Sequence, residues 1–83
     1  MIVPDANLII YASDSGSLFH ERARQWWTAA LNGDESVGLS WLVLVAYVRV
    51  MSSARIMKRP VAVGELLDEV ERWLTAPHVQ VLQ

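Results

Sequence analysis

Three short segments with the composition of β-strands are separated by long connections, and this spacing constrains the fold of the chain most strongly. The segments are residues 2–5, 36–39 and 79–82. Each connection is longer than a dozen residues, which is the length that a crossover between parallel strands requires. Because helical patterns fill the connections, the sequence predicts a single α/β domain, in which a short parallel sheet of about three strands packs against helices.

Three helices are predicted within the connections. The first follows Ser17, whose hydroxyl suits an N-cap, and ends at Asn32 and Gly33. The second follows Ser40 and contains the stretch WLVLVAYVRVM, whose length favours a helix over a strand. The third is GELLDEVERWL, in which apolar side chains line one face and charged side chains the other. Residues 6–12 are interpreted only as a turn that leads into an apolar run.

One acidic residue occupies a position where parallel sheets commonly bind ligands. Asp5 directly follows the first predicted strand, and ligands of open parallel sheets bind just beyond the carboxyl ends of the strands. An aspartate is also well suited to cap a turn that starts at Ala6. The position of Asp5 alone therefore leaves two interpretations open, a turn residue and a site residue.

Positive charge is concentrated in the middle of the chain. Residues 36–64 contain no acidic side chain, and they include Arg49, Arg55, Lys58 and Arg59. These four side chains are able to hold phosphates through charge-assisted hydrogen bonds. The alternative is a solvated face that follows an apolar helix. Arg49 is the only charged residue of its helix, so we expect it either to extend to solvent or to bind an anion.

The sequence argues against three classes of protein: zinc-binding, membrane-spanning and secreted. The chain has no cysteine, and its two histidines lie far apart in the sequence, so a zinc site is not expected. The longest apolar run, residues 41–48, is too short to span a bilayer. The N-terminus has no basic flank before its apolar stretch, so a secretory signal is not expected either. These features predict a cytoplasmic protein.

Four segments together resemble a known family. They are MIVPDANLIIYA, FHERARQWW, GLSWLVLVAYVRVMSSARI and KRPVAVGELLDEVERWL, in that order. This set is similar to the N-terminal part of a PIN-domain protein of the VapC toxin type. The resemblance implies a truncated PIN-like, Rossmann-like fold and an endoribonuclease that acts as a toxin and depends on Mg²⁺ or Mn²⁺. It also implies three partners: a VapB-type antitoxin, an RNA substrate and a second copy in a homodimer, with no membrane.

The resemblance also suggests roles for individual residues. Asp5 matches the first metal-binding and catalytic aspartate of the family. Asn7 matches a position that supports this aspartate, although an amide there also suits the start of a helix. Ser40 matches a frequent serine or threonine near the site, and its capping role is a sufficient alternative explanation. Arg49 and Arg55 are candidate contacts for RNA phosphates.

The family places further acids around this aspartate, because a hydrolytic metal site usually shares its ions among several carboxylates. The second acid is expected within or beside SWLVLVAYVRV, but this segment contains no acidic residue. Depending on the alignment, Trp41, Leu44 or Ala46 occupies the position of the family's second acid. The remaining family acids are expected in a C-terminal part that lies beyond Gln83. Two functions therefore stay open, a ribonuclease that is incomplete in this chain and a catalytically silent module for dimerisation or antitoxin binding. A third alternative is a small α/β domain with only a compositional resemblance.

Overall fold

The computed structural model describes all residues from 1 to 83 and contains four helices and two strands. In chain order they are α1 (Ala6–Ser13), α2 (His20–Asn32), β1 (Val37–Ser40), α3 (Trp41–Met51), α4 (Val63–Leu74) and β2 (Val79–Leu82). This order confirms the predicted α/β class, because helices fill the connection between the two strands.

The sheet is parallel, with Val37 paired with Val79 and Ser40 with Leu82. The first predicted strand is reduced to an isolated parallel bridge between Ile2 and Val37. Proline at position 4 has no N–H to donate to a ladder, and α1 begins only two residues later. The sheet therefore has two strands and one bridged segment, with β1 in the middle.

Two helices differ from the prediction: α1 was not predicted at all, and α2 begins later than predicted. Helix α1 was not predicted, and its eight residues continue directly from the bridged segment. Helix α2 begins at His20 rather than after Ser17, because the Ser17 hydroxyl accepts a hydrogen bond from the nearby Phe19 N–H and closes a short turn. Helices α3 and α4 lie where the sequence predicted them, α3 from its length and the Ser40 cap and α4 from its apolar spacing.

The core is centred on an aromatic cluster that joins three helices. The Trp73 ring of α4 packs edge-on against Trp27 of α2, with 5.4 Å between the ring centroids. It also lies 4.9 Å from the ring of Tyr47 on α3. All three side chains are buried, and burial raises the pKa of the Tyr47 phenol. This cluster fixes α2, α3 and α4 relative to one another.

Not every apolar side chain enters this core. Trp41, Leu42 and Val45 of α3 are exposed, and Leu42 is the most exposed of the three, at 83%. They lie on one face of the helix because residues three and four apart are neighbours on a helix surface. We call these three residues the apolar stripe of α3. None of the helices combines the length and the apolar character needed to cross a membrane.

A pair of glycine substitutions tests the close packing around the sheet. A Cβ atom at Gly38 of β1 would lie 2.8 Å from Leu82 Cδ1 and 2.8 Å from Met1 Sδ, whereas a Cβ at Gly64 of α4 meets nothing within 4 Å. We expect Gly38→Ala to lower the free energy of unfolding by about 1 kcal/mol through overpacking, because the crowding atoms belong to side chains that are able to shift. Gly64→Ala should raise it by about 0.4–1 kcal/mol. Urea denaturation of both variants checks this, and equal effects would contradict the packing described.

Candidate functional site

Asp5 is the N-cap of α1. Its Oδ1 accepts a hydrogen bond from the backbone N–H of Asn7 at 2.8 Å, and its own backbone is extended. The side chain is exposed, and no hydrogen bond to its Oδ2 is present. The capping interpretation of Asp5 is therefore confirmed, and one carboxylate oxygen remains free to bind something else.

Ser40 has the same role at the start of α3. Its Oγ accepts a hydrogen bond from the Val43 N–H at 3.1 Å. Ile2 and Val37 form a parallel bridge. Three residues after the bridge, the first segment reaches the helix cap Asp5 and the second reaches the helix cap Ser40. Because the two segments run in the same direction, both caps lie on the carboxyl edge of the sheet. The structure thus brings two of the predicted site residues to one edge.

The fit of this edge to Mg²⁺ is partial. Mg²⁺ is commonly held by one or two carboxylates together with waters and substrate phosphates, and the free oxygen of Asp5 suits one such position. However, the chain contains no group of three histidine, aspartate or glutamate side chains that are close enough to hold a metal ion. Asp5 is thus suited to be one ligand of a metal, and this edge does not form a closed metal site.

The other predicted residues occupy different places. Asn7 contacts Asp5 through its backbone N–H. Arg49 lies in the last turn of α3, and Arg55 follows in the connection to α4, so both are away from the edge that carries Asp5. Together they line an open groove that also contains Ser52 and Ser53. Sequence reasoning did not identify these two serines, since serine after a helix usually signals only a turn.

The two histidines bind backbone carbonyl groups. The Nδ1 atom of His20 lies 2.9 Å from the Tyr11 carbonyl oxygen. The Nε2 atom of His78 lies 3.0 Å from the Ala30 carbonyl oxygen. These contacts tie α2 to α1 and the start of β2 to the end of α2, so both rings have a structural role.

Most of the ion pairs lie on exposed helix faces. Glu21 and Arg24 form a pair on α2, and the hydrogen bond from Arg24 lowers the pKa of the Glu21 carboxyl. Arg72 pairs with Glu69 on α4. None of the ion pairs involves a basic residue between α3 and α4. The positive charge of that segment is therefore available to a partner.

Comparisons with known proteins give one consistent group of relatives. No family model matches the chain. Ribonuclease VapC33 of Mycobacterium tuberculosis is 37% identical over 82 residues, which is 99% of this chain and 57% of the relative. Ribonuclease VapC37 of the same species is 34% identical over 77 residues, 93% of this chain and 54% of the relative. Ribonuclease VapC48 is 28% identical over 76 residues. The chain thus spans just over half the length of the curated relatives it matches.

Proposed function

We propose that this chain is the toxin of a toxin–antitoxin pair, an endoribonuclease that cleaves RNA phosphodiester bonds. The support is its similarity to VapC ribonucleases over nearly the whole length of this chain, which agrees with the predicted resemblance to VapC-type PIN-domain proteins. Its partners in this proposal are a VapB-type antitoxin and RNA, and it acts in the cytoplasm. The observation that carries the proposal is Asp5, an exposed carboxylate on the carboxyl edge of a parallel sheet.

Asp5 has one role in the fold and one in the proposed chemistry. Its Oδ1 holds the first turn of α1, which fixes the direction of the carboxylate. Its Oδ2 accepts no hydrogen bond and would be one ligand of Mg²⁺ or Mn²⁺. A bound ion of this kind supplies a hydroxide nucleophile and neutralises charge on the reacting phosphate. Ser40 supports the site by starting α3 at the same edge.

The proposal needs further acids. One carboxylate binds Mg²⁺ weakly, because the ion gives up its water shell reluctantly. Since this chain offers no cluster of acids beside Asp5, the additional ligands come from the substrate phosphate or from residues outside these 83. Cleavage by this chain alone should therefore require high metal concentrations.

An RNA cleavage assay tests the proposal. The purified chain is incubated with structured RNA in Mg²⁺ or Mn²⁺, and a parallel sample contains EDTA. We expect cleavage products only with the metal, and none from an Asp5→Asn variant at equal concentration. Products that persist in EDTA would contradict metal dependence. An absence of products at every metal concentration would contradict activity of the chain by itself.

A second candidate function is a silent binding module, and the apolar stripe of α3 favours it. Trp41, Leu42 and Val45 are exposed on one helix face, and clustered apolar side chains often mark a protein interface. In this proposal the stripe packs against a second copy of the chain or against a VapB-type antitoxin, and Asp5 acts only as a cap.

Size-exclusion chromatography tests the silent module, and the cleavage assay separates it from the ribonuclease, because both candidates bind an antitoxin. The silent module predicts a dimer, or a complex with the antitoxin encoded beside it, that Leu42→Ser disrupts and Asp5→Asn leaves intact. Leu42 is 83% exposed, so this change should leave the fold undisturbed. A monomer that binds no antitoxin under any condition would contradict the module.

A further inference from the structure

A large open groove of about 790 Å³ lies at the C-terminal end of α3. Its polar lining consists of Arg49, Ser52, Ser53 and Arg55, and no acidic side chain borders it. We call these four residues and the cavity they line the basic groove. Both arginines are exposed, so their guanidinium groups are accessible to a ligand. The groove therefore combines positive charge with a concave shape.

The guanidinium donors of the basic groove have no acidic partner. The ion pairs of the chain join Met1 to Glu35, Glu21 to Arg24 and Glu69 to Arg72, so neither groove arginine has a carboxylate partner. The Ser52 hydroxyl donates to the Val48 carbonyl oxygen at 2.7 Å and covers one of the last carbonyls of α3. Such carbonyls would otherwise present negative partial charge to the groove.

We propose that the basic groove binds the phosphodiester backbone of single-stranded RNA, with or without a metal ion present. Two guanidinium groups match phosphate oxygens through paired N–H donors, and the Ser53 hydroxyl adds a further donor. The choice of RNA among polyanions rests on the proposed function. Binding itself does not require Asp5 to be catalytic.

The position of the groove suits this role. Helix α3 begins at Ser40 on the carboxyl edge of the sheet, and Arg49 lies nine residues further along it. At the rise of an α-helix this separation is roughly 13 Å along the axis. A strand held at the groove that also reaches the edge of Asp5 would have its register set by the groove. Lys58 and Arg59 continue the positive charge beyond Arg55, and both are exposed.

Fluorescence anisotropy of a labelled single-stranded RNA in EDTA tests the proposal. We expect the double variant Arg49→Gln/Arg55→Gln to bind about tenfold or more weakly. Its slope of log affinity against log salt should be shallower by about 1.4, because each lost phosphate contact on a single strand accounts for about 0.7. The matched control, Arg22→Gln/Arg24→Gln on α2, removes the same charge elsewhere and should stay within about twofold of the unmodified chain.

The outcomes separate this proposal from the proposed ribonuclease activity. Equal weakening by the groove and control variants would overturn the groove, because the effect would then reflect net charge alone. Tighter binding of a poly-glutamate peptide than of RNA would overturn RNA as the ligand. A chain that binds RNA through the groove but never cleaves it would support the groove and contradict only the proposed activity.

Discussion

Replacing Trp73 by alanine is expected to lower the free energy of unfolding by about 3–5 kcal/mol, since the change removes a large buried ring and leaves a cavity. Trp73 is 4% exposed and packs against Trp27 and Tyr47. Its indole N–H also donates to Glu69 Oε1 at 3.2 Å. A domain of this size has little stability to lose, so a large part of the variant should be unfolded at 25 °C.

Circular dichroism with urea denaturation measures this effect, and Trp41→Ala is the control. Trp41 is 58% exposed, so the same change there should shift stability by about 0.5 kcal/mol or less. Comparable losses at the two positions would show that the core is not centred on Trp73.

Asp5→Asn is expected to leave the fold intact and to reduce metal-dependent RNA cleavage at least about a hundredfold. Asparagine caps a helix about as well as aspartate, so the hydrogen bond to the Asn7 N–H is kept. The variant loses the negative charge, which is the property a metal ligand needs. Melting temperature and cleavage rate, measured on the same preparation, separate the two roles of Asp5.

Asp5→Ala provides the comparison. It removes both the cap and the charge, so it should lose activity and also about 1 kcal/mol of stability. Full activity of Asp5→Asn would exclude the carboxylate from the chemistry. A large loss of stability in Asp5→Asn would show that the charge, and not only the cap, holds α1 in place.

The predictable part of the fold follows from strong local signals. Helix α4 was identified because Leu66, Val70 and Trp73 recur at helical spacing, and all three are buried. Helix α3 was identified from its length and from the Ser40 cap. Helix α1 was missed because the sequence ANLIIYAS is mostly apolar and has no polar face to reveal a helical period. Its position depends on packing against α2 and α3, which a local pattern does not contain.

The candidate site was predictable to a similar extent. The place of Asp5 at the carboxyl edge followed from the order of the elements. Its hydrogen bond to the Asn7 backbone, rather than to the Asn7 side chain, depends on the geometry of the cap. The basic groove was visible as a run of charge around Arg49 and Arg55, but its concave shape and the contribution of Ser53 arise only when the chain turns after α3.

Paramagnetic broadening of backbone amide signals by Mn²⁺ tests the central claim, that Asp5 is a metal ligand at the carboxyl edge of the sheet. The account predicts that, as the Mn²⁺ concentration is raised, the amides of Asp5, Asn7 and Val43 broaden before others, and that Asp5→Asn abolishes this effect. The exposed acidic face of α4, with Glu65 and Asp68, serves as an internal reference. Broadening that begins on α4, or that is unchanged in Asp5→Asn, would contradict the account.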